Sequence, residues 1–158
     1  MKGWESFFAA EASAAAALTG LVFVAVSINL LRVLELRHMP GRAAEALLIL
    51  MSVLIVSTFG LVPDQSHAAL GGEILGTGAS VWLLSIRVQW RAFQDVNARP
   101  WLPFRVVIAQ AACLPFVASG ALLLTGHDIG IYLIVPGTLA SFVAGVLNAW
   151  VLLVEIQR

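Results

Sequence analysis

The sequence predicts an all-α polytopic membrane protein, a single integral membrane domain made of a bundle of five transmembrane helices. Three observations predict it. Five apolar stretches, at about 12–34, 43–62, 68–86, 104–124 and 129–154, fill most of the 158 residues, and each is close to the ~20 apolar residues a helix needs to cross ~30 Å of hydrocarbon. Hydrophobic residues make up 60% of the chain and charged residues 11%, whereas a soluble domain carries about 25% charged residues. The stretches are too long and too evenly apolar for barrel strands, which alternate over ~10 residues. In lipid only helices or closed barrels satisfy every backbone N–H and C=O.

The first helix is expected to be retained and not cleaved as a signal peptide. Lys2 is a lone positive charge, Glu11 interrupts the approach to the apolar run, and the small Ala10–Ala12 segment precedes that run instead of following it. Trp4, Phe7 and Phe8 fit an outer interfacial belt. Ala12, Ala16 and Gly20 form a ridge at four-residue spacing. Glu11 and Asn29 lie on another face, one near each interface. The first connection carries Arg32, Arg37, His38 and Arg42, with Pro40-Gly41 as its turn. Glu45 follows just inside the second helix, where an ion pair with Arg42 or the adjoining loop is expected. The second connection, Pro63-Asp64-Gln65-Ser66-His67, has no Lys or Arg.

In the third helix Gly72 and Gly76 permit close packing. Glu73, Thr77, Ser80, Arg87 and Arg91 fall on one face as a polar line. The third connection gathers Arg87, Arg91, Arg99 and Arg105 with Trp90, Phe93, Trp101 and Phe104, broken by Pro100 and Pro103. In the fourth helix Gln110 and Pro115 read as packing and kink residues, with Gln110 or Ser119 available to the carbonyl that proline frees. Cys113 has no partner for a disulfide and reads as a small packing residue. The fourth connection is Gly126-His127-Asp128. In the fifth helix Thr138, Ser141, Gly145, Asn148, Leu152 and Glu155 recur at spacings of three and four, a continuous stripe to which Gly137 adds another small residue. The stripe should face protein, with Asn148 hydrogen-bonding across it and Pro136 bending the helix above it. Trp150 falls near the inner end.

Charge sets the expected topology. The first and third connections hold the arginines and the second and fourth hold none. The positive-inside rule therefore places the N-terminus outside and Arg158 inside. Zero net charge gives no electrostatic footprint for nucleic acid. No Walker loop, dinucleotide fingerprint, HExxH or nucleophile elbow occurs. His67, His127, Asp64 and Asp128 share the outer side and read as solvated loop residues, not a metal site. No enzyme activity, cofactor or metal is expected. The function expected is that of a non-enzymatic membrane protein acting through helix–helix contacts at Gly20, Gly72, Gly76, Ser141, Gly145 and Asn148. Its partners would be the lipid bilayer, another membrane protein and, in a homo-oligomer, a second copy. The alternative is a small oligomeric channel or proton-coupled transporter, with Glu73 titrating, Thr77 and Ser80 lining the path and Arg87 at its mouth.

Two segments carry a resemblance that covers the whole chain: 15–30, with Thr19-Gly20 and Ser27-x-Asn29, and 148–156, with Asn148-x-Trp150. Arg42-Ala43-Ala44-Glu45-Ala46-Leu47 joins them. They resemble a family of small bacterial multi-pass membrane proteins, some labelled modulators of the FtsH membrane protease. The resemblance implies a multi-pass protein of the bacterial plasma membrane and a membrane protease complex as partner. It supplies no functional residues.

Overall fold

The computed structural model describes residues 3–35, 39–94 and 102–156, without the side chains of Leu152, Leu153, Glu155 and Ile156. Lys2, Arg37, His38, Arg99, Pro100, Trp101 and Arg158, and the side chains of Leu152 and Glu155, lie outside the described residues. Helices α1 (Glu5–Ile28), α2 (Leu30–Glu35), α3 (Met39–Gly60), α4 (His67–Phe93) and α5 (Leu102–Leu124) are followed by a 3₁₀ segment (Asp128–Leu133) that runs into α6 (Ile134–Ile156). No strand occurs among the described residues. Five of these segments are long and apolar enough to span a membrane, the fifth being 128–151 across the 3₁₀–α6 junction.

The helix ends differ from the hydropathy runs for local reasons. α1 starts at Glu5, ahead of its apolar run, because its first turn is aromatic and packs inward. Trp4 lies 5.2 Å from Tyr132, and Phe8 is fully buried in the main core, so Phe8 is a core residue and not an interfacial anchor. α1 stops at Asn29, whose side-chain amide donates to the Ala25 carbonyl (3.0 Å), a local bond that competes with the helix ladder. Residues 30–35 then form the separate α2. Pro40 and Gly41 belong to the first turn of α3, not to a turn before it, and Pro103 lies in the first turn of α5. A proline there forfeits an N–H that has no intrahelical partner in any case. Pro136 likewise sits in the first turn of α6, where the chain passes from 3₁₀ to α geometry, instead of bending the helix above its stripe. Ser66 caps α4 by accepting from the Ala69 N–H (3.2 Å).

α3 is the centre of the bundle. It packs against α1, α4 and α6, and 56% of its span is buried, against 11% for α1. α1 thus lies on the rim and spends most of its surface on the surroundings. Leu21, Phe23, Val24 and Ile28 all point outward.

The closest crossing is α4 on α5, and glycine makes it possible. A Cβ on Gly120 would press on the backbone of Leu75 and lie 2.7 Å from the Gly71 carbonyl oxygen. One on Gly71 would lie 2.7 Å from the Leu124 nitrogen, and one on Gly78 would lie 3.0 Å from the Phe116 Cβ. The buried face of α4 is Leu70, Gly71, Ile74, Gly78, Val81, Ser85 and Gln89. Gly72 and Gly76 are therefore not the intrachain packing glycines. Gly72 has only a Leu124 methyl at 3.9 Å, and nothing comes within 4 Å of where a Cβ on Gly76 or Gly20 would lie.

The α6 stripe faces inward as expected. Thr138, Ser141, Gly145 and Asn148 are buried within the chain. A Cβ on Gly145 would lie 2.7 Å from a Leu50 methyl of α3, and Ser141 Oγ reaches the Ala112 carbonyl of α5 at a long 3.5 Å.

Candidate functional site

The fold gathers the described arginines at one end. Arg32, Arg42, Arg87, Arg91 and Arg105 sit at helix ends joined by the first and third connections. The opposite end holds Glu5, Glu11, Asp64, Glu73 and Asp128.

The arginine-bearing end contains a buried polar centre. Glu45, in the second turn of α3, is wholly inaccessible because α3 is covered on several sides. Both its oxygens are engaged. Arg105 Nε of α5 donates to Oε2 at 2.5 Å, and Gln89 Nε2 of α4 donates to Oε1 at 2.8 Å. These bonds bridge three helices, α3, α4 and α5, and part of the adjoining loop expected as a partner, 36–38, lies outside the described residues. Arg105 is 8% exposed, and its Nη2 is buried with no hydrogen-bond partner among the described residues. A charge in such surroundings is tolerated only when paired and hydrogen-bonded. Among the described residues Arg105 is paired through Nε.

Beside this centre a cavity of about 320 Å³ opens between α5 and α6. Arg42, Arg105 and Asn148 are its polar lining, and Phe104, Leu147 and Trp150 are among its apolar residues. Asn148 is 7% exposed and turns to this space. The hydrogen bond expected across the stripe is not among those the described residues make. Local spacing gave no sign of Gln89 or Arg105 as site residues. The available signal was a carboxylate well inside an apolar helix, which has to recruit donors from elsewhere.

The polar line of α4 has a different setting. Glu73 is half-buried and accepts from Gln65 Nε2 at 2.5 Å. Thr77 and Ser80 donate to backbone carbonyls of their own helix, at Glu73 (2.8 Å) and Gly76 (2.7 Å). Ser80 and Arg87 are exposed, so the line lies on the outside of the bundle and not along an interior path. Glu73→Gln is expected to leave proton and ion flux through liposomes at the level of wild type and to change stability by less than about 1 kcal/mol. A pH-dependent flux that only the wild type carries would favour the oligomeric channel or transporter instead.

At the same end as Glu73, His67 Nδ1 meets Asp128 Oδ1 at 2.6 Å, tying the start of α4 to the 3₁₀ segment. Both are well exposed, so the pair adds little stability. His127 Nδ1 faces Thr125 Oγ1 at 3.0 Å. Among the described residues no three metal-ligating side chains converge. In the fourth helix Gln110 accepts from Trp82 Nε1 (2.6 Å), and Ser119 Oγ is buried with no partner among the described residues; no bond from either to the carbonyl freed by Pro115 occurs among the described residues. Cys113 is buried.

No protein-family model, curated protein or solved structure matches the chain.

Proposed function

We propose that this is a non-enzymatic protein of the bacterial plasma membrane, N-terminus outside and C-terminus inside, that acts through helix–helix contacts with another membrane protein. One observation carries the reading: small residues form ridges on outward faces where none of the described residues packs on them. On α4 these are Gly72, Gly76 and Ser80, at four-residue spacing and all exposed. On α1 they are Ser13, Ala16, Ala17 and Gly20, also exposed. Between helices in lipid there is no hydrophobic driving force, so association relies on close backbone approach, which small residues allow. A lipid-facing surface gains nothing from glycine, which costs about 1 kcal/mol relative to alanine within a helix. The gathering of arginines at one end supports the orientation. The resemblance to modulators of the FtsH protease supplies the partner class, a membrane protease complex.

Affinity capture in mild detergent from native membranes tests the proposal. Wild type is expected to bring down a stoichiometric membrane protein, and Gly20→Leu or Gly76→Leu to lose it. Both variants should fold within about 0.5 kcal/mol of wild type, because they alter surface away from any intrachain contact. Capture undiminished in both variants would contradict the ridge assignment. Capture of no protein would contradict the function.

A further inference from the structure

We infer that the cavity at the arginine-bearing end binds an anionic glycerophospholipid, with its phosphodiester held by Arg105, Arg42 and Asn148 and one acyl chain laid along Phe104, Leu147 and Trp150.

The first ground is an unmet donor. Arg105 lines the cavity, is more than nine-tenths buried, and has one nitrogen committed to Glu45 while Nη2 has no partner among the described residues. A guanidinium presents five N–H donors in a planar fork suited to phosphate, so Glu45 leaves most of that capacity unused. The second ground is charge. Among the described residues two arginines and an asparagine line the cavity, and no acidic side chain does. Arg105 is fixed in place because its Nε donates to Glu45, which the Gln89 amide holds from the other side. The headgroup therefore meets a preorganised donor and little side-chain entropy is lost on binding.

The third ground separates a lipid from a soluble anion. The remaining lining is apolar, and Phe104 (62% exposed) and Trp150 (65%) stand at its open side. A soluble phosphate has no use for that wall, whereas an acyl chain does. The position also fits. Arg105 lies in the first turn of α5, and Trp150 about six residues before the end of α6. At 1.5 Å per residue this spans roughly the first 10 Å inward from the helix ends, the depth over which a lipid passes from phosphate to upper chain. Basic pockets between transmembrane helices on the positive side are a known mode of headgroup recognition. A zwitterionic lipid would bring its own cationic group against two guanidiniums, which favours the anionic class.

The test is native mass spectrometry of the full chain, released from a neutral detergent supplemented with phosphatidylglycerol or phosphatidylcholine at equal mole fraction. Wild type is expected to retain one phosphatidylglycerol with at least tenfold preference over phosphatidylcholine. The double variant Arg42→Gln/Asn148→Leu, which leaves the Glu45–Arg105–Gln89 bridge in place, should lose that preference. Should the double variant fail to fold, Leu147→Trp fills the apolar half without touching a charge and should also abolish retention. Equal retention of the two lipids by wild type, or full preference persisting in the variants, would overturn the proposal. Displacement of the lipid by soluble glycerol phosphate at equal concentration would also overturn it, since that would mark a site for a free anion.

Discussion

Replacing Glu45 by alanine is expected to destabilise the bundle by about 3–5 kcal/mol, the usual cost of removing one partner from a buried ion pair. Glu45 accepts from both Arg105 and Gln89, and both donors are themselves buried. Alanine would leave a guanidinium and an amide without an acceptor in a nearly dry interior. Arg105→Met should cost a similar amount, by stranding the carboxylate. The double variant Glu45→Leu/Arg105→Met should recover most of the loss, because an apolar pair of similar volume avoids the desolvation of both charges. Unfolding in mixed micelles, followed by helicity, measures all three. Losses below about 1 kcal/mol for both single variants would mean that water reaches the pair, and would place it at an open interface instead of in the interior.

Gly120→Ala should cost about 3 kcal/mol, the upper end of the usual range for overpacking a core. One methyl group there meets Leu75 backbone and the Gly71 carbonyl, neither of which can rotate away as a side-chain tip would. Relief requires α4 and α5 to separate along their closest contact. Gly145→Ala is the milder counterpart, since the three atoms nearest its methyl all belong to the side chain of Leu50, which can shift rotamer. The same substitution at Gly76 should be neutral or slightly stabilising, because nothing lies within 4 Å and alanine is the better helix former. Thermal unfolding of the three variants side by side ranks them, and a Gly120 variant as stable as the Gly76 variant would refute the crossing.

The five spanning segments and their order were legible because burial in hydrocarbon demands a long apolar run whatever its neighbours are. The inward face of α6 was legible for a related reason. Thr138, Ser141, Gly145 and Asn148 are the small or polar residues of an otherwise apolar helix, and polar groups avoid lipid. On α4 that logic fails. Small residues occur on both sides, at Gly71 and Gly78 and at Gly72 and Gly76, and helical spacing alone does not choose between ridges one residue apart. Glu45 shows a different limit. Its ionisable nature was plain, but its partners lie 44 and 60 residues away. They are brought to it by helix order and tilt, which local pattern does not encode. The cavity was illegible altogether, because its lining comes from α3, α5 and α6, residues far apart in sequence. Phe8 was misplaced because an aromatic ring near a helix end suits both a membrane interface and a core. The absence of a Cβ at Gly60, where one would lie 2.6 Å from the Phe8 ring, selects the core.

If the proposed function holds, the exposed small-residue ridges of α1 and α4 are contact surfaces for another membrane protein. Photo-cross-linking in living cells distinguishes the outcomes, with a photoreactive residue placed singly at positions 20, 76, 31 and 139 of the full chain. Leu31 and Leu139 are exposed large apolar residues on α2 and α6, which carry neither ridge, and serve as lipid-facing references. A protein adduct of one defined size is expected from positions 20 and 76, and lipid adducts alone from 31 and 139. Lipid adducts alone from all four positions would contradict the proposal.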